Sequence, residues 1–139
     1  MKLTIPFRTP SVNALYGTTF RHGGMYLKKE AKDLKKEILN LISVSTPNEF
    51  SNGTNKELKI TVKIFEDWYT KKGDIKKKDI SNREKFLIDS VFEGLGIDDK
   101  QIFEHNMIKV QSKDEKAEII LEAFKWKLYL KAQCLIQQE

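Results

Sequence analysis

Acidic and basic side chains lie close together in one stretch of the chain, residues 76–101. The stretch opens with three lysines and Asp79, and it closes with the pair Asp98-Asp99. Carboxylate oxygens with few nitrogen ligands suit Mg²⁺ or Mn²⁺. A metal ion held in this way neutralises phosphate oxygens, helps to deprotonate water and stabilises a leaving oxygen. These residue types therefore indicate a metal site that acts on phosphates.

A helix is predicted to hold the middle of this stretch, over residues 81–95. Its apolar residues recur every three or four positions, so one side must face a sheet. Gly94 and Gly96 bracket the predicted end, as a left-handed cap requires. The polar side of this helix carries, about one turn apart, Ser81, Lys85 and Asp89.

The strand predicted after this helix begins with the second acidic group. A return from helix to strand can bring Asp98 and Asp99 towards the polar side of the helix. Asp79 lies just before the first turn of the same helix. We therefore expect Asp79 to converge in space with Asp98 and Asp99. Lys85, within the helix, can then place a positive charge beside the transition state.

The same residues also have a purely structural interpretation. Asp79 can serve as a negative charge at a helix amino terminus. Ser81 and Glu84 form the S-x-x-E pattern of a capping box. Asp98 and Asp99 can be turn residues. Spacing alone does not separate the metal site from this alternative of helix cap and turn.

The remaining elements predict an α+β fold in which helices cover a mixed sheet. The predicted order is β, α, β, α, β, β, a single domain of 139 residues in which 127–139 form a C-terminal extension. Residues 8–26 have the composition of a loop, with an irregular hairpin as the alternative. The predicted strands cover about 2–7, 58–68, 101–111 and 117–126, and the first helix covers about 27–45.

Composition limits the classes of function. The formal net charge of +5 is compatible with binding a polyanion, although it also suits an ordinary soluble protein. No apolar run of about 18 residues is present, so we expect no membrane span. The start lacks the apolar core of a signal peptide, and Cys134 has no second cysteine to pair with. We therefore expect a cytoplasmic protein. His22 and His105 are too few and too far apart in sequence for a nitrogen-ligand metal site, and we expect neither to act in catalysis.

Two separate motifs resemble the RusA family of Holliday junction resolvases. The family's P-P-S-x-N-x-x-Y, which follows a strand, is matched by TPSVNALY at residues 9–16. Its D-x-D-N-x-x-K is matched, except at one position, by DISNREK at residues 79–85. An aspartate within the helix then matches Asp89, and G-x-x-D-D-x-Q-[IV] matches residues 96–102. The resemblance covers residues 1 to about 125.

The resemblance implies a small homodimeric endonuclease. Such an enzyme would bind four-way DNA junctions in recombination and repair and cut two opposing strands symmetrically with Mg²⁺ or Mn²⁺. It implies catalytic roles for Asp79, Lys85 and Asp99, metal binding by Asp79, Asp98 and Asp99, and support from Ser81, Asn82 and Asp89. We expect the following cations to contact DNA phosphates: Lys71, Lys72, Lys76, Lys77, Lys78, Arg83 and Arg21.

One residue departs from the family motif, because Ser81 stands where the second aspartate of D-x-D is expected. A neutral hydroxyl is a poor ligand for Mg²⁺. Either another carboxylate replaces it (Asp74, Asp89 or Asp98), or the metal is held more weakly, or the protein binds junctions with little or no cleavage. Retained nuclease activity is our leading hypothesis. A non-catalytic DNA-binding module and a structural or interaction protein are the alternatives.

Overall fold

The structure, a computed structural model, describes residues 1–18, 23–45 and 56–126, without the side chains of residues 12 and 13. Two main helices lie against a four-stranded sheet, and a two-stranded sheet lies beside them. In chain order the elements are β1 (Lys2–Ile5), α1 (Val12–Leu15), β2 (Tyr16–Thr18), β3 (Met25–Leu27), α2 (Lys29–Ser45), β4 (Leu58–Glu66), α3 (Ser81–Leu95), a 3₁₀ turn (Asp99–Gln101), β5 (Ile102–Gln111) and β6 (Lys116–Ala123).

The four-stranded sheet has the order β1-β6-β4-β5. β4 pairs in parallel with β5 and antiparallel with β6, and β6 pairs antiparallel with β1. The sheet is therefore mixed, and the predicted α+β fold with two main helices is confirmed. β5 is an edge strand, and its register places His105 beside Ile60 of β4.

Alternation along β4 determines which face of the sheet is covered. Leu58, Ile60 and Val62 are fully buried, whereas the residues between them are partly exposed. α3 packs on the buried face and contacts both β4 and α2. Burying an aliphatic side chain of this size stabilises the fold by about 1.5–3 kcal/mol. The helices contribute to this core the residues Ala31, Ile38, Ile42, Phe86, Leu87, Val91, Phe92 and Leu95.

α3 ends at Gly96, as predicted. The φ angle of this glycine is 66°, in the left-handed region, and its N–H bonds to the carbonyl of Glu93. The chain then reverses through the 3₁₀ turn into β5. As a result, the last turns of α3 lie beside the first residues of β5, and Phe92 and Ile102 line the same pocket.

A short helix and one strand end differ from the prediction. α1 lies in the stretch predicted as a loop, since an element of four residues is too short to show periodicity. The antiparallel pair of β2 and β3 matches the irregular hairpin that was the alternative for this stretch. β4 ends at Glu66, two residues before the predicted end. Beyond it the indole of Trp68 turns inwards and donates to the carbonyls of Ile64 (3.2 Å) and Val110 (3.1 Å).

Some predicted features lie outside the described residues. They are Arg21, His22, Cys134 and the C-terminal extension 127–139. Among the helices that the structure describes, none is long and apolar enough to cross a membrane.

Candidate active site

Asp79 lies immediately before α3 with its side chain exposed. Its Oδ1 accepts the backbone N–H of Ser81 at 3.0 Å. Hydrogen bonds from the side chain and then the backbone of Ser81, together with nearby Lys109, hold the pKa of Asp79 below its ordinary value. The carboxylate is therefore ionised at neutral pH and open to solvent.

The capping-box interpretation of the α3 amino terminus is wrong. The cap residue is Ile80, whose side chain makes no capping hydrogen bond. Glu84 instead pairs through Oε1 with Nε2 of His105 on β5. Glu84 is 6% exposed, so its side chain points into the domain rather than back along the helix.

The segment before Asp79 is held from two sides. The backbone carbonyl of Lys78 accepts a hydrogen bond from Nζ of Lys109 at 2.8 Å. Nζ of Lys78 pairs with Oε1 of Glu66 at 3.1 Å, and Glu66 is 1% exposed. The ends of β4 and β5 thus fix the backbone that carries Asp79.

Arg83 joins the two family-like motifs. Its Nη1 donates to the carbonyl of Thr9 at 2.7 Å, and its Nη2 lies 3.8 Å from Oε1 of Glu66. The side chain is buried. This placement favours a structural role for Arg83, which connects the loop after β1 to the start of α3.

Asp98, at the other end of α3, caps the 3₁₀ turn. Its Oδ1 accepts the N–H of Lys100 at 3.0 Å, and Oε1 of Gln101 accepts the N–H of Asp98 at 3.1 Å. The hydrogen bond from the Lys100 backbone is the main reason that the pKa of Asp98 is lowered. These contacts match the turn interpretation for Asp98.

A pocket of about 410 Å³ lies between α3, β4, the 3₁₀ turn and β5. Lys85 and Asp89 line it from the helix, where their side chains pair at 3.5 Å. Asp99 lines it from the turn. The other lining residues are Ile60, Glu84, Ile88, Phe92, Ile102 and His105. The structure therefore brings Lys85, Asp89 and Asp99 to one concave site with an apolar wall.

Sequence reasoning missed the pair of Glu84 and His105 in this pocket. A signal for Glu84 does exist, because it falls on the same helical stripe as Leu87, Val91 and Leu95. A carboxylate on a buried stripe needs a partner. The identity of that partner depends on the strand register and is not visible in the sequence.

Asp79 does not join this pocket within one chain. Asp79 precedes α3 and Asp98 and Asp99 follow it, and the 15 residues of the helix between them span about 22 Å at the helical rise per residue. In residues 1–18, 23–45 and 56–126, no group of three histidine, cysteine, aspartate or glutamate side chains is placed to hold a metal ion. The expected convergence of Asp79 with Asp98 and Asp99 is therefore not seen within a single chain.

The lysines predicted to contact DNA differ in their exposure and in whether they form ion pairs within the protein. Lys71 and Lys72 form the exposed tip of a small hairpin closed by the bridge between Tyr69 and Ile75. Gly73, with φ of 87°, allows its turn. Lys77 is also exposed. Lys76 and Lys78, by contrast, pair with Asp67 (3.1 Å) and Glu66 (3.1 Å).

A family model described as endodeoxyribonuclease RusA matches residues 6–122. The match begins after β1 and spans both motifs, β4, β5, all of β6 except its last residue, and the pocket. The chain belongs to the RusA endodeoxyribonuclease family. Its members are DNA-binding hydrolases that resolve Holliday junctions in recombination. No curated protein matched the chain significantly.

Nucleases of the RusA family depend in general on a metal ion. The described donors of one chain do not fit a complete metal site, because Asp79 does not line the pocket and Asp98 is engaged in its turn. Asp99 and Asp89 are carboxylates of the type that Mg²⁺ prefers, but they make up only part of a ligand set.

Proposed function

We propose that this protein is a metal-dependent endonuclease that resolves four-way DNA junctions. It hydrolyses phosphodiester bonds in two opposing strands symmetrically, with Mg²⁺ or Mn²⁺. The family match over residues 6–122 is the observation that carries the proposal. The shared pocket of Lys85, Asp89 and Asp99 supports it, since a cation beside carboxylates suits phosphoryl chemistry.

The active form is a homodimer in which two copies complete each metal site. Asp79 and Asp99 lie beyond opposite ends of α3, whose 15 residues span about 22 Å, on the side of the helix that faces β5. A twofold axis across this side of the helix exchanges its ends. Asp79 of one copy then faces Asp99 of the other. Two such sites related by symmetry also suit symmetric cleavage of two strands.

A complementation experiment tests this arrangement. The variants Asp79→Asn and Asp99→Asn are prepared separately and then refolded together, so that mixed dimers form. In a mixed dimer one site lacks both carboxylates and the other keeps both. We expect each variant alone to be inactive and the mixture to nick one strand of a synthetic four-way junction.

A matched mixture provides the control for this experiment. Asp79→Asn refolded with wild-type chains must also nick, which shows that subunits exchange. If that control nicks and the mixture of the two variants stays inactive, the carboxylates do not act across two copies. Full activity of either variant alone would show that the substituted aspartate is not part of the metal site.

The exposed cations Lys71, Lys72 and Lys77 contact DNA phosphates. They lie on or next to the hairpin that precedes Asp79, so they can position the backbone near the metal ligands without reading sequence. Three further cations hold this segment in place through their ion pairs with Asp67 and Glu66: Lys76, Lys78 and Arg83. Arg21 adds another cation for phosphate contact. Junction affinity should fall steeply as salt rises.

A non-catalytic or weakly active junction-binding protein is the second candidate, and Ser81 is the observation that favours it. The backbone N–H of Ser81 donates to Asp79, and the Ser81 side chain adds no carboxylate to the site. Junction cleavage by the wild-type protein with Mg²⁺ or Mn²⁺, compared with Asp79→Asn, separates the two candidates. Tight binding without any cleavage would establish the second.

A further inference from the structure

Glu84 and His105 form a pair to which the family motifs assign no role. Oε1 of Glu84, on α3, contacts Nε2 of His105, on β5. Glu84 is almost completely buried, whereas the His105 side chain is 39% exposed. Both residues line the 410 Å³ pocket that also contains Lys85 and Asp99. A polar pair therefore lies in the wall of the pocket where the proposed chemistry takes place.

Glu84 determines which nitrogen of the His105 ring is basic. Burial raises the pKa of Glu84, whereas the adjacent His105 ring acts in the opposite direction and favours the carboxylate. As a carboxylate Glu84 only accepts hydrogen bonds, so Nε2 then carries the hydrogen of this contact. In the neutral ring the lone pair is then on Nδ1, which points away from the carboxylate. A buried carboxylate behind a histidine both orients the ring and stabilises the imidazolium that forms when the ring takes up a proton.

We propose that His105, oriented by Glu84, is the general base that deprotonates the attacking water. The inference rests on the proposed nuclease function. The charged groups that face His105 are Glu84, Lys85 and Asp89 from α3 and Asp99 from the 3₁₀ turn, while Ile60 lines the pocket from β4. Ser81 removes one carboxylate from the family motif, and a histidine base compensates for that loss without an additional acidic residue.

The step balances as an ordinary hydrolysis. Nδ1 of His105 takes a proton from water as the water oxygen bonds to phosphorus. The bond between phosphorus and one sugar oxygen breaks, and that oxygen leaves with the electron pair and takes a proton from solvent. The imidazolium, held by the Glu84 carboxylate, then returns its proton to solvent. No oxidant or further reactant is needed.

Chemical rescue tests this role in the full-length protein. His105→Gly removes the ring and opens space next to an existing pocket. With Mg²⁺ and a synthetic four-way junction, we expect the cleavage rate to fall by about 100-fold or more, as is usual when a general base is lost. Junction affinity should stay within about twofold, because the proposed phosphate contacts come from Lys71, Lys72 and Lys77. Added imidazole should restore cleavage in a saturable way.

Two other substitutions keep the test decisive. His105→Gln retains a hydrogen-bond donor for Glu84 but has no basic nitrogen, so it should fold, bind junctions, cleave slowly and gain nothing from imidazole. Glu84→Gln should slow cleavage, because an amide does not stabilise the imidazolium. Glu104→Gln is the matched control, since Glu104 lies on the opposite face of β5 and pairs with Lys59 at 3.2 Å.

Specific results would overturn the inference. Cleavage at the wild-type rate by His105→Gln excludes a general base at this position. A folded, junction-binding His105→Gly that imidazole does not rescue reduces His105 to a structural contact between α3 and β5. If the wild-type protein cuts no junction with any divalent metal, the proposed nuclease function fails first and this inference fails with it.

Discussion

At the residue scale, Ser81 is where this chain departs from the motif that it resembles. The backbone N–H of Ser81 donates a hydrogen bond to Oδ1 of Asp79, so the two residues already lie in one hydrogen-bonded turn. An aspartate at position 81 would add a second carboxylate beside Asp79. We expect Ser81→Asp to lower the Mg²⁺ concentration at half-maximal cleavage by on the order of tenfold, the scale on which small changes near metal ligands act.

A Mg²⁺ titration of the junction cleavage rate measures this effect. Ser45→Asp is the matched control, because the same substitution on the exposed end of α2 adds the same charge far from the site. An unchanged titration for Ser81→Asp would show that the side chain at position 81 does not reach the metal.

The lowered pKa of Asp67 predicts how the stability of the fold depends on pH. Hydrogen bonds from Gln111 and then Lys76 lower the pKa of Asp67 to about 2, from an ordinary value of 3.8. A carboxyl whose pKa is lowered in the folded state stabilises the fold above its ordinary pKa, and this contribution disappears as the pH falls through about 2. Asp67→Asn should therefore lower the urea midpoint at pH 7. Near pH 2 the variant and the wild-type protein should unfold at similar urea concentrations; an equal gap at both pH values would contradict this origin.

Single residues also mark the limit of sequence reasoning. Gly96 is found where a left-handed cap was predicted, because a glycine after an amphipathic stripe is a local signal. The pairing of Glu84 with His105 is not local. It follows from the parallel register of β4 and β5, which brings His105 next to Ile60 and under α3.

At the element scale, Glu66 joins β4 to the loop after β1 and to the start of α3. This buried carboxylate lies near three cations: Lys78 at 3.1 Å, Arg83 at 3.8 Å and Arg8 at 3.9 Å. Glu66→Gln removes the charge that faces Lys78 and the buried Arg83, whereas Arg8 keeps its contact with Glu115, and the change should lower the free energy of unfolding by about 3–5 kcal/mol. Urea unfolding measures this change.

The exposed Glu122 on β6 offers a matched control for that substitution. Glu122→Gln should change the free energy of unfolding by less than about 0.5 kcal/mol. If the two variants were equally stable, Glu66 would not organise the segment that carries Asp79.

The hairpin with Lys71 and Lys72 at its tip is an element that composition only partly predicts. The run of lysines is visible in the sequence, but the turn depends on the bridge of Tyr69 with Ile75 and on the backbone hydrogen bond from Lys76 to the carbonyl of Trp68. Each phosphate contact contributes about 0.9 to the slope of log affinity against log salt. Replacing both lysines with glutamine should therefore reduce the slope by nearly two.

A double substitution on α2 is the control for net charge. It shows whether the change in slope depends on where the two lysines lie or only on the loss of two positive charges. Lys32 and Lys36 are exposed on the helix, and their replacement by glutamine removes the same charge. Fluorescence anisotropy with a labelled four-way junction at several salt concentrations gives both slopes. Equal slopes for the two double variants would show that the hairpin is not the surface that contacts DNA.

At the scale of the whole molecule, the sequence predicted the components and their order but not the distances between them. Helical and strand periodicity gave α2, α3 and the four-stranded sheet, because these elements are long and half buried. The separation of Asp79 from the pocket was not predictable. It depends on how far α3 carries the chain before the 3₁₀ turn returns it to β5, and whether a second copy closes that gap is a property of the assembly.

Metal binding and dimer formation should therefore be coupled. If Asp79 of one copy and Asp99 of the other hold the same ion, Mg²⁺ binds the dimer better than the monomer, and by linkage it must strengthen the dimer to the same degree. Sedimentation equilibrium should give a lower dimer dissociation constant with Mg²⁺ than with EDTA. Asp79→Asn and Asp99→Asn should abolish this difference, whereas Glu122→Gln should preserve it. Equal Mg²⁺ affinity at protein concentrations far below and far above the dissociation constant would instead place the complete metal site within one chain.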